Sequence, residues 1–85
     1  MTGTKRQIVG AQIRAARALL DLSAQDLANL TKLSRGTIQR AELENAQITN
    51  ANEERIVETL EKLGVLFLAE NGEGPGVRLK KQKMR

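Results

Sequence analysis

The chain lacks cysteine and histidine altogether, and these two absences exclude several kinds of chemistry. Its 85 residues contain no Cys and no His. Without thiols there is no disulfide, no thiolate metal site and no cysteine nucleophile. Without imidazole, the usual zinc sites and the usual general base at neutral pH are missing as well. We therefore predict that the protein is not an enzyme and needs no cofactor or metal.

Aromatic residues and long apolar runs are also scarce. Phe67 is the only aromatic residue, which argues against a surface that stacks the bases of a single strand. No apolar run approaches the roughly 20 residues that a membrane-spanning helix requires. The first residues do not resemble a secretion signal. We expect one small domain in the cytoplasm, with no membrane association.

Positive charge is concentrated at the two ends of the chain. The formal net charge is +4. Counting Lys and Arg against Asp and Glu, residues 1–22 and 65–85 carry +3 each, whereas residues 47–64 carry −2. This distribution suits a polyanionic partner such as nucleic acid. A solvated surface that keeps a small protein soluble would have the same composition, so charge alone does not decide.

Apolar periodicity predicts four helices in residues 4–64. The first starts at Thr4 and ends at Asp21, and the second starts at Ser23 with Asp26 in a capping box. Ser34 caps the third helix, and Thr49 or Asn50 caps the fourth, which ends before a left-handed Gly64. The inward-facing residues are predicted to be Val9, Ile13, Ala16 and Leu20; Leu27 and Leu30; Thr37, Ile38 and Ala41, with Leu43 just beyond; and Ile56, Val57, Leu60 and Leu63.

The pattern changes after Gly64 and predicts a β-hairpin in residues 65–80. Val65–Ala69 is a continuous apolar run of strand length, and a Gly-rich loop separates it from Val77–Leu79. A strand that is apolar on both faces is usually covered on both. We therefore predict that a second copy of the chain covers the face that the helices leave open, with an interface drawn from Val65, Leu66, Phe67 and Leu68. The alternative is that this run packs entirely against its own helices. The basic tail, residues 81–85, is expected to be disordered.

The second and third helices are short and separated by a tight turn, which is typical of a helix-turn-helix that places its second helix in the major groove of DNA. Arg and Gln make bidentate hydrogen bonds to guanine and adenine edges. We therefore predict that Arg35 and Gln39 read bases and that Arg40 holds a phosphate. Gly36 would allow close approach of the backbone, Ser34 would cap the helix near a phosphate, and Gln25 would contact a phosphate from the second helix.

Three charged residues have a structural interpretation beside the functional one. Arg17 and Glu42 each lie next to apolar positions, so we expect them to form a partly buried ion pair that braces the helices. Arg14 is left open as a phosphate contact or a surface charge.

These residues together resemble a known family. The patterns Ile13-Arg-x-x-Arg17, Leu22-Ser23-x-x-x-Leu27-Ala28 and Leu33-Ser34-Arg35-x-Thr37-Ile38-x-x-x-Glu42 resemble the phage repressor and Cro type of helix-turn-helix, the Xre family. The resemblance implies that the start of the third helix contacts bases and that an Arg–Glu pair joins two helices. The residues implied in base contact are Ser34, Arg35, Gly36, Thr37 and Gln39.

The chain departs from that family at two positions. Family members commonly have Gln where this chain has Ala24, with Gln25 one step later. The turn position that usually holds Gly is Lys32, which predicts a lysine near left-handed geometry at a cost of roughly 1–2 kcal/mol. Neither departure removes the motif.

The sequence thus predicts a mainly α fold, a four-helix repressor-like helix-turn-helix domain with a C-terminal β-hairpin. The predicted function is sequence-specific binding of double-stranded DNA by a small transcriptional regulator of the repressor type, acting as a homodimer. The alternative is an antitoxin-like interaction module that binds a protein partner, with DNA binding secondary.

Overall fold

The computed structural model of the chain describes residue 8 and residues 10–43, 50–69 and 71–81. It is mainly helical with one small antiparallel sheet, as predicted. The elements are α1 (Gly10–Leu19), α2 (Ala24–Thr31), α3 (Arg35–Ala41), α4 (Asn50–Lys62), β1 (Val65–Leu68) and β2 (Gly76–Leu79). The predictions for Thr4, Val9, Thr49 and the tail beyond Lys81 lie outside the described residues. Within those residues, no helix is long and apolar enough to cross a membrane.

Two reciprocal hydrogen bonds start α2. The hydroxyl of Ser23 accepts from the N–H of Asp26 at 2.9 Å, and the Asp26 carboxylate accepts from the N–H of Ser23 at 2.9 Å. This confirms the predicted capping box. Because these bonds satisfy N–H groups that have no partner within the helix, they fix where α2 begins.

A non-glycine residue in left-handed geometry ends α2. Lys32 has φ 62° and ψ 33°, as its position in the turn predicts. The N–H of Leu33 donates to the carbonyl of Ala28 at 3.1 Å, which closes the helix end. Ser34 then caps α3 by accepting from the N–H of Thr37 at 3.0 Å. The turn between α2 and α3 therefore occupies only residues 32–34.

One apolar core receives side chains from all four helices and from β1. Most predicted inward positions are buried: Ile13, Ala16, Leu27, Ile38, Ala41, Ile56, Val57 and Leu60. Val65 joins them and is also fully buried. Leu20 and Thr37 are only half-buried.

Three leucines predicted to face inward are exposed instead. Leu30 is 51% exposed because the buried stripe of α2 consists of Leu27, Ala28 and Thr31, and Leu30 lies outside it. Thr31 can occupy the core because its hydroxyl donates to the carbonyl of Leu27 at 2.7 Å.

The other two exposed leucines follow helix ends. Leu63 is 41% exposed because α4 ends at Lys62 and Gly64, with φ 114°, redirects the chain so that Val65 enters the core. Leu43 is 61% exposed and lies beyond the end of α3.

The hairpin packs one face against the helices. Val65 pairs with Leu79 and Phe67 with Val77, and both Phe67 and Val77 pack against the core. Leu66, paired with Arg78, lies on the opposite face because side chains alternate along a strand. The N–H of Lys80 donates to the carbonyl of Gly64 at 2.7 Å and extends the ladder by one bond.

Candidate nucleic-acid interface

The outward side of α3 carries two polar side chains that no described residue engages. Arg35 and Gln39 are exposed and one helical turn apart. No hydrogen bond or ion pair from the described part of the chain engages either side chain. Their donors and acceptors are therefore available to an external partner. The predicted outward placement of both residues is confirmed.

The remaining polar side chains of α3 bond to one another. The hydroxyls of Ser34 and Thr37 are 2.9 Å apart, in addition to the capping bond. Nη2 of Arg40 lies 3.5 Å from Oγ1 of Thr37, a long hydrogen bond. This bond directs the guanidinium of Arg40 back along the helix. The side chain remains accessible to solvent because Arg40 is exposed.

Packing within the chain does not require the glycine at position 36. A Cβ added to Gly36 would lie 3.7 Å from Nη1 of Arg40 and 3.8 Å from Oγ of Ser34. Both are ordinary van der Waals distances. A glycine inside a helix costs roughly 1 kcal/mol relative to alanine. No close contact within the described residues therefore accounts for this glycine, and close approach of a partner stays a prediction.

Gln25 is exposed in the first turn of α2 but bonds to a neighbour. Its amide Nε2 donates to Oδ1 of Asn29 at 3.0 Å, one turn along the same helix. The side chain therefore lies along the surface of α2. A phosphate contact from Gln25 requires it to use its remaining hydrogen-bonding capacity or to release Asn29.

Residues of α1 hold the end of α3. Arg17 donates from Nε to Oε2 of Glu42 at 2.8 Å and from Nη2 to Oε1 at 3.1 Å, which confirms the predicted ion pair. The hydrogen bond to Glu42 raises the pKa of Arg17 above its ordinary value. Arg17 also donates from Nη1 to the carbonyl of Leu22 at 3.0 Å. Arg14 donates from Nη1 to the backbone carbonyl of Glu42 at 2.6 Å.

The four hairpin residues predicted at a dimer interface are divided between two faces. Val65 is fully buried in its own chain and leaves no surface for a partner. Phe67 packs against the same core. Leu66 is 36% exposed and Leu68 is half-buried. Of these four residues, only Leu66 and Leu68 therefore remain as candidates for contact with a second chain.

Two residues have structural roles that the sequence patterns did not predict. Gln12 is 3% exposed, and its Nε2 donates to the carbonyls of Leu68 at 3.2 Å and Gly76 at 2.9 Å, which ties α1 to the hairpin. Gln12 directly precedes Ile13 and lies on the apolar stripe of α1, and this position could have indicated a buried polar side chain. Gly10 lies against the backbone of α3, and a helical glycine indicates close approach without identifying the neighbour.

None of the protein-family models compared with the chain matches it, and no curated protein matches it either. Among the residues that the structure describes, no group of three or more acidic side chains could hold a metal ion.

Proposed function

We propose that the protein binds double-stranded DNA sequence-specifically and regulates transcription, with α2 and α3 acting as a helix-turn-helix. The observation that carries this proposal is the pair of exposed side chains of Arg35 and Gln39 on α3, which have no bonding partner among the described residues. Arg and Gln are the residues that recognise guanine and adenine through two hydrogen bonds each in the major groove. The resemblance of residues 12–43 to the Xre family supports the same assignment.

The dimensions of α3 suit this task. It contains seven residues and is therefore about 10 Å long. Since base pairs are stacked about 3.4 Å apart, the helix spans about three steps. In the proposed complex Arg35 reads a guanine and Gln39 an adenine. Gly36 lets the backbone approach the bases.

Other residues hold the duplex without reading it. Arg40 is exposed and binds a phosphate oxygen, and Gln25 binds a second phosphate from the first turn of α2. Ser34 and Thr37 keep the first turn of α3 in shape through their mutual hydrogen bonds. The backbone of this turn then faces the sugar–phosphate edge of the groove.

The test begins with selection of binding sites from a random double-stranded DNA pool at physiological salt. Arg35→Ala is then expected to weaken binding to the selected site by about 1–3 kcal/mol and to relax one base position. Arg40→Ala removes the same charge from the same helix but is expected to weaken binding to all DNA sequences equally. It should also reduce the slope of log affinity against log salt concentration by about 1. Equal losses on selected and random DNA for Arg35→Ala would contradict the base-reading role.

We also propose that the protein acts as a homodimer through the outer face of the hairpin. Leu66 and Leu68 give this face its apolar character, and the core formed by the described residues packs against the opposite face. A two-fold dimer reads half-sites about 34–36 Å apart. The selected DNA is therefore expected to be palindromic.

Sedimentation equilibrium tests this interface directly. Leu66→Lys is expected to shift the chain to monomer. Leu30→Lys is the control, because Leu30 is more exposed than Leu66, at 51% against 36%, but lies on α2. If Leu30→Lys disrupts association as much as Leu66→Lys does, the hairpin is not the interface.

A second candidate function is an antitoxin-like module that binds a protein partner. The observation that favours it is an apolar groove of about 250 Å³ between α1 and the hairpin. Its lining is Ala11, Gln12, Ala15, Pro75, Gly76 and Val77. A groove of this kind can accept an apolar side chain from a partner. A pool selection that enriches no sequence, while DNA binding persists at low salt, would favour this function over the first.

A further inference from the structure

The C-terminal end of α3 is held by three α1 residues that share one helical face. Gly10, Arg14 and Arg17 are spaced by four and three positions, so they lie one above the other. All three contact Glu42, the residue that caps α3. The ion pair of Arg17 was expected from the sequence, whereas the contacts of Gly10 and Arg14 were not.

Gly10 allows the backbones of α1 and α3 to touch. A Cβ at this position would lie 2.5 Å from both the carbonyl carbon and the carbonyl oxygen of Glu42, and 2.9 Å from the carbonyl oxygen of Ala41. Real Cβ atoms do not approach other atoms so closely. Because the obstructing atoms belong to the backbone, no side-chain rotation can relieve the clash. Any side chain at position 10 has to push the end of α3 away from α1.

Arg14 pulls the same end of α3 toward α1. Its Nη1 donates to the carbonyl of Glu42 at 2.6 Å. Carbonyls at the end of a helix have no partner within it and carry the negative end of its dipole. A guanidinium is therefore a strong partner for this carbonyl. Gly10 and Arg14 together determine how close the end of α3 lies to α1.

A small displacement at Glu42 changes the direction of the whole helix. A shift of about 1 Å at the end of a helix about 10 Å long tilts it by roughly 6°. Gln39 lies in the last turn of α3, next to the displaced end. Hydrogen bonds weaken steeply when distance and angle depart from their optimum, so a bidentate contact to a base is sensitive to this tilt.

We propose that Gly10 and Arg14 are positioning residues that set the angle of α3 and thereby the sequence discrimination of the protein. This inference rests on the proposed DNA-binding function. Neither residue touches DNA in this scheme. Their effect passes through Glu42 to the side chains of α3.

The first arm of the test needs no DNA. Residual dipolar couplings of the backbone amides give the angle between α1 and α3 in Gly10→Ala and Arg14→Met. Arg55→Met is the matched control, since Nη1 of Arg55 donates to the carbonyl of Thr31, the last residue of α2, at 3.3 Å. The angle is expected to change in the first two variants and not in the control. Circular dichroism establishes that each variant is folded.

The second arm measures dissociation constants for the selected site and for a scrambled duplex. The dissociation constant for the scrambled duplex divided by that for the selected site measures sequence discrimination. This ratio is expected to fall at least about fivefold in Gly10→Ala and Arg14→Met, which is the discrimination that about one base pair carries. The ratio is expected to be unchanged in Arg55→Met. Arg14→Lys should restore part of it, because an ammonium can also donate to the Glu42 carbonyl.

An unchanged angle and an unchanged ratio in folded Arg14→Met would overturn the proposal. If Gly10→Ala does not fold, Arg14→Met alone tests the proposal. If the unaltered chain shows no preference between the two duplexes, the proposed function fails instead. The angle measurement then still decides whether Gly10 and Arg14 position α3.

Discussion

Arg17 and Glu42, 25 residues apart in the chain, are joined by two parallel hydrogen bonds between the guanidinium and the carboxylate. The Glu42 side chain is only 8% exposed, whereas that of Arg17 is 23% exposed. Removal of Arg17 therefore leaves a nearly buried carboxylate without its cation. Breaking a buried pair by removing one partner typically costs about 3–5 kcal/mol.

We expect Arg17→Met to lower the free energy of unfolding by about 3 kcal/mol, at the lower end of that range because Arg17 is partly exposed. Urea denaturation measures the loss. Arg35→Met is the control, since Arg35 is an exposed arginine on α3 that no described residue engages. The double variant Arg17→Met with Glu42→Leu should recover much of the stability. A loss for Arg17→Met no larger than that for Arg35→Met would show that the pair does not brace the helices.

Lys32 adopts a backbone geometry that favours glycine. Its φ of 62° costs an L-residue roughly 1–2 kcal/mol. Glycine removes this cost, but its greater freedom in the unfolded chain lowers the stability of the fold by about 0.5–1 kcal/mol. We expect Lys32→Gly to stabilise the fold by about 0.5–1 kcal/mol. Asp21, with φ 59°, is the comparison. Since aspartate tolerates this region better, Asp21→Gly should gain less, and an equal gain would point to another cause.

Gln12 links α1 to both strands of the hairpin. Replacing it with methionine preserves length but removes the donor to the carbonyls of Leu68 and Gly76. We expect a loss of about 1–3 kcal/mol and faster hydrogen exchange of the hairpin amides. Gln25→Met makes the same change at an exposed site on α2 and should be nearly neutral. Exchange that accelerates equally everywhere would mean global destabilisation, not release of the hairpin.

Asp26 makes the stability of the chain depend on pH below about 4. The backbone N–H of Ser23, and then its hydroxyl, lower the pKa of Asp26 below its ordinary value of 3.8. A lowered pKa means that the ionised carboxylate stabilises the fold above the unfolded pKa. This stabilisation is lost as pH falls through the folded pKa.

NMR titration of the Asp26 carboxyl carbon measures this shift. The pKa should rise only partway toward 3.8 in Ser23→Ala, because the backbone N–H of residue 23 remains as the stronger cause. A pKa at or above 3.8 in the unaltered chain would contradict the capping box.

The outward arrangement of α3 was predictable, but the bonding among its side chains was not. Arg35 and Gln39 face outward as helical spacing requires. That Thr37 engages both Ser34 and Arg40 depends on rotamers, which a periodic pattern does not specify. The leucine predictions failed for a related reason. Apolar spacing marks a possible face, whereas burial of Leu30 or Leu63 requires another element to cover it.

The sequence by itself determined the local features. The capping box of Ser23 and the cap at Ser34 depend on residues within a few positions of one another, so short-range chemistry is enough to predict them. The left-handed Lys32 was implied by the resemblance of the turn. Only the tertiary structure decided which distant groups meet. Gln12 contacts carbonyls 56 and 64 residues away, and Arg14 contacts one 28 residues away. These bonds form because core packing brings α1 against α3 and the hairpin. Packing depends on how all the buried side chains fit together and not on residues close in the chain.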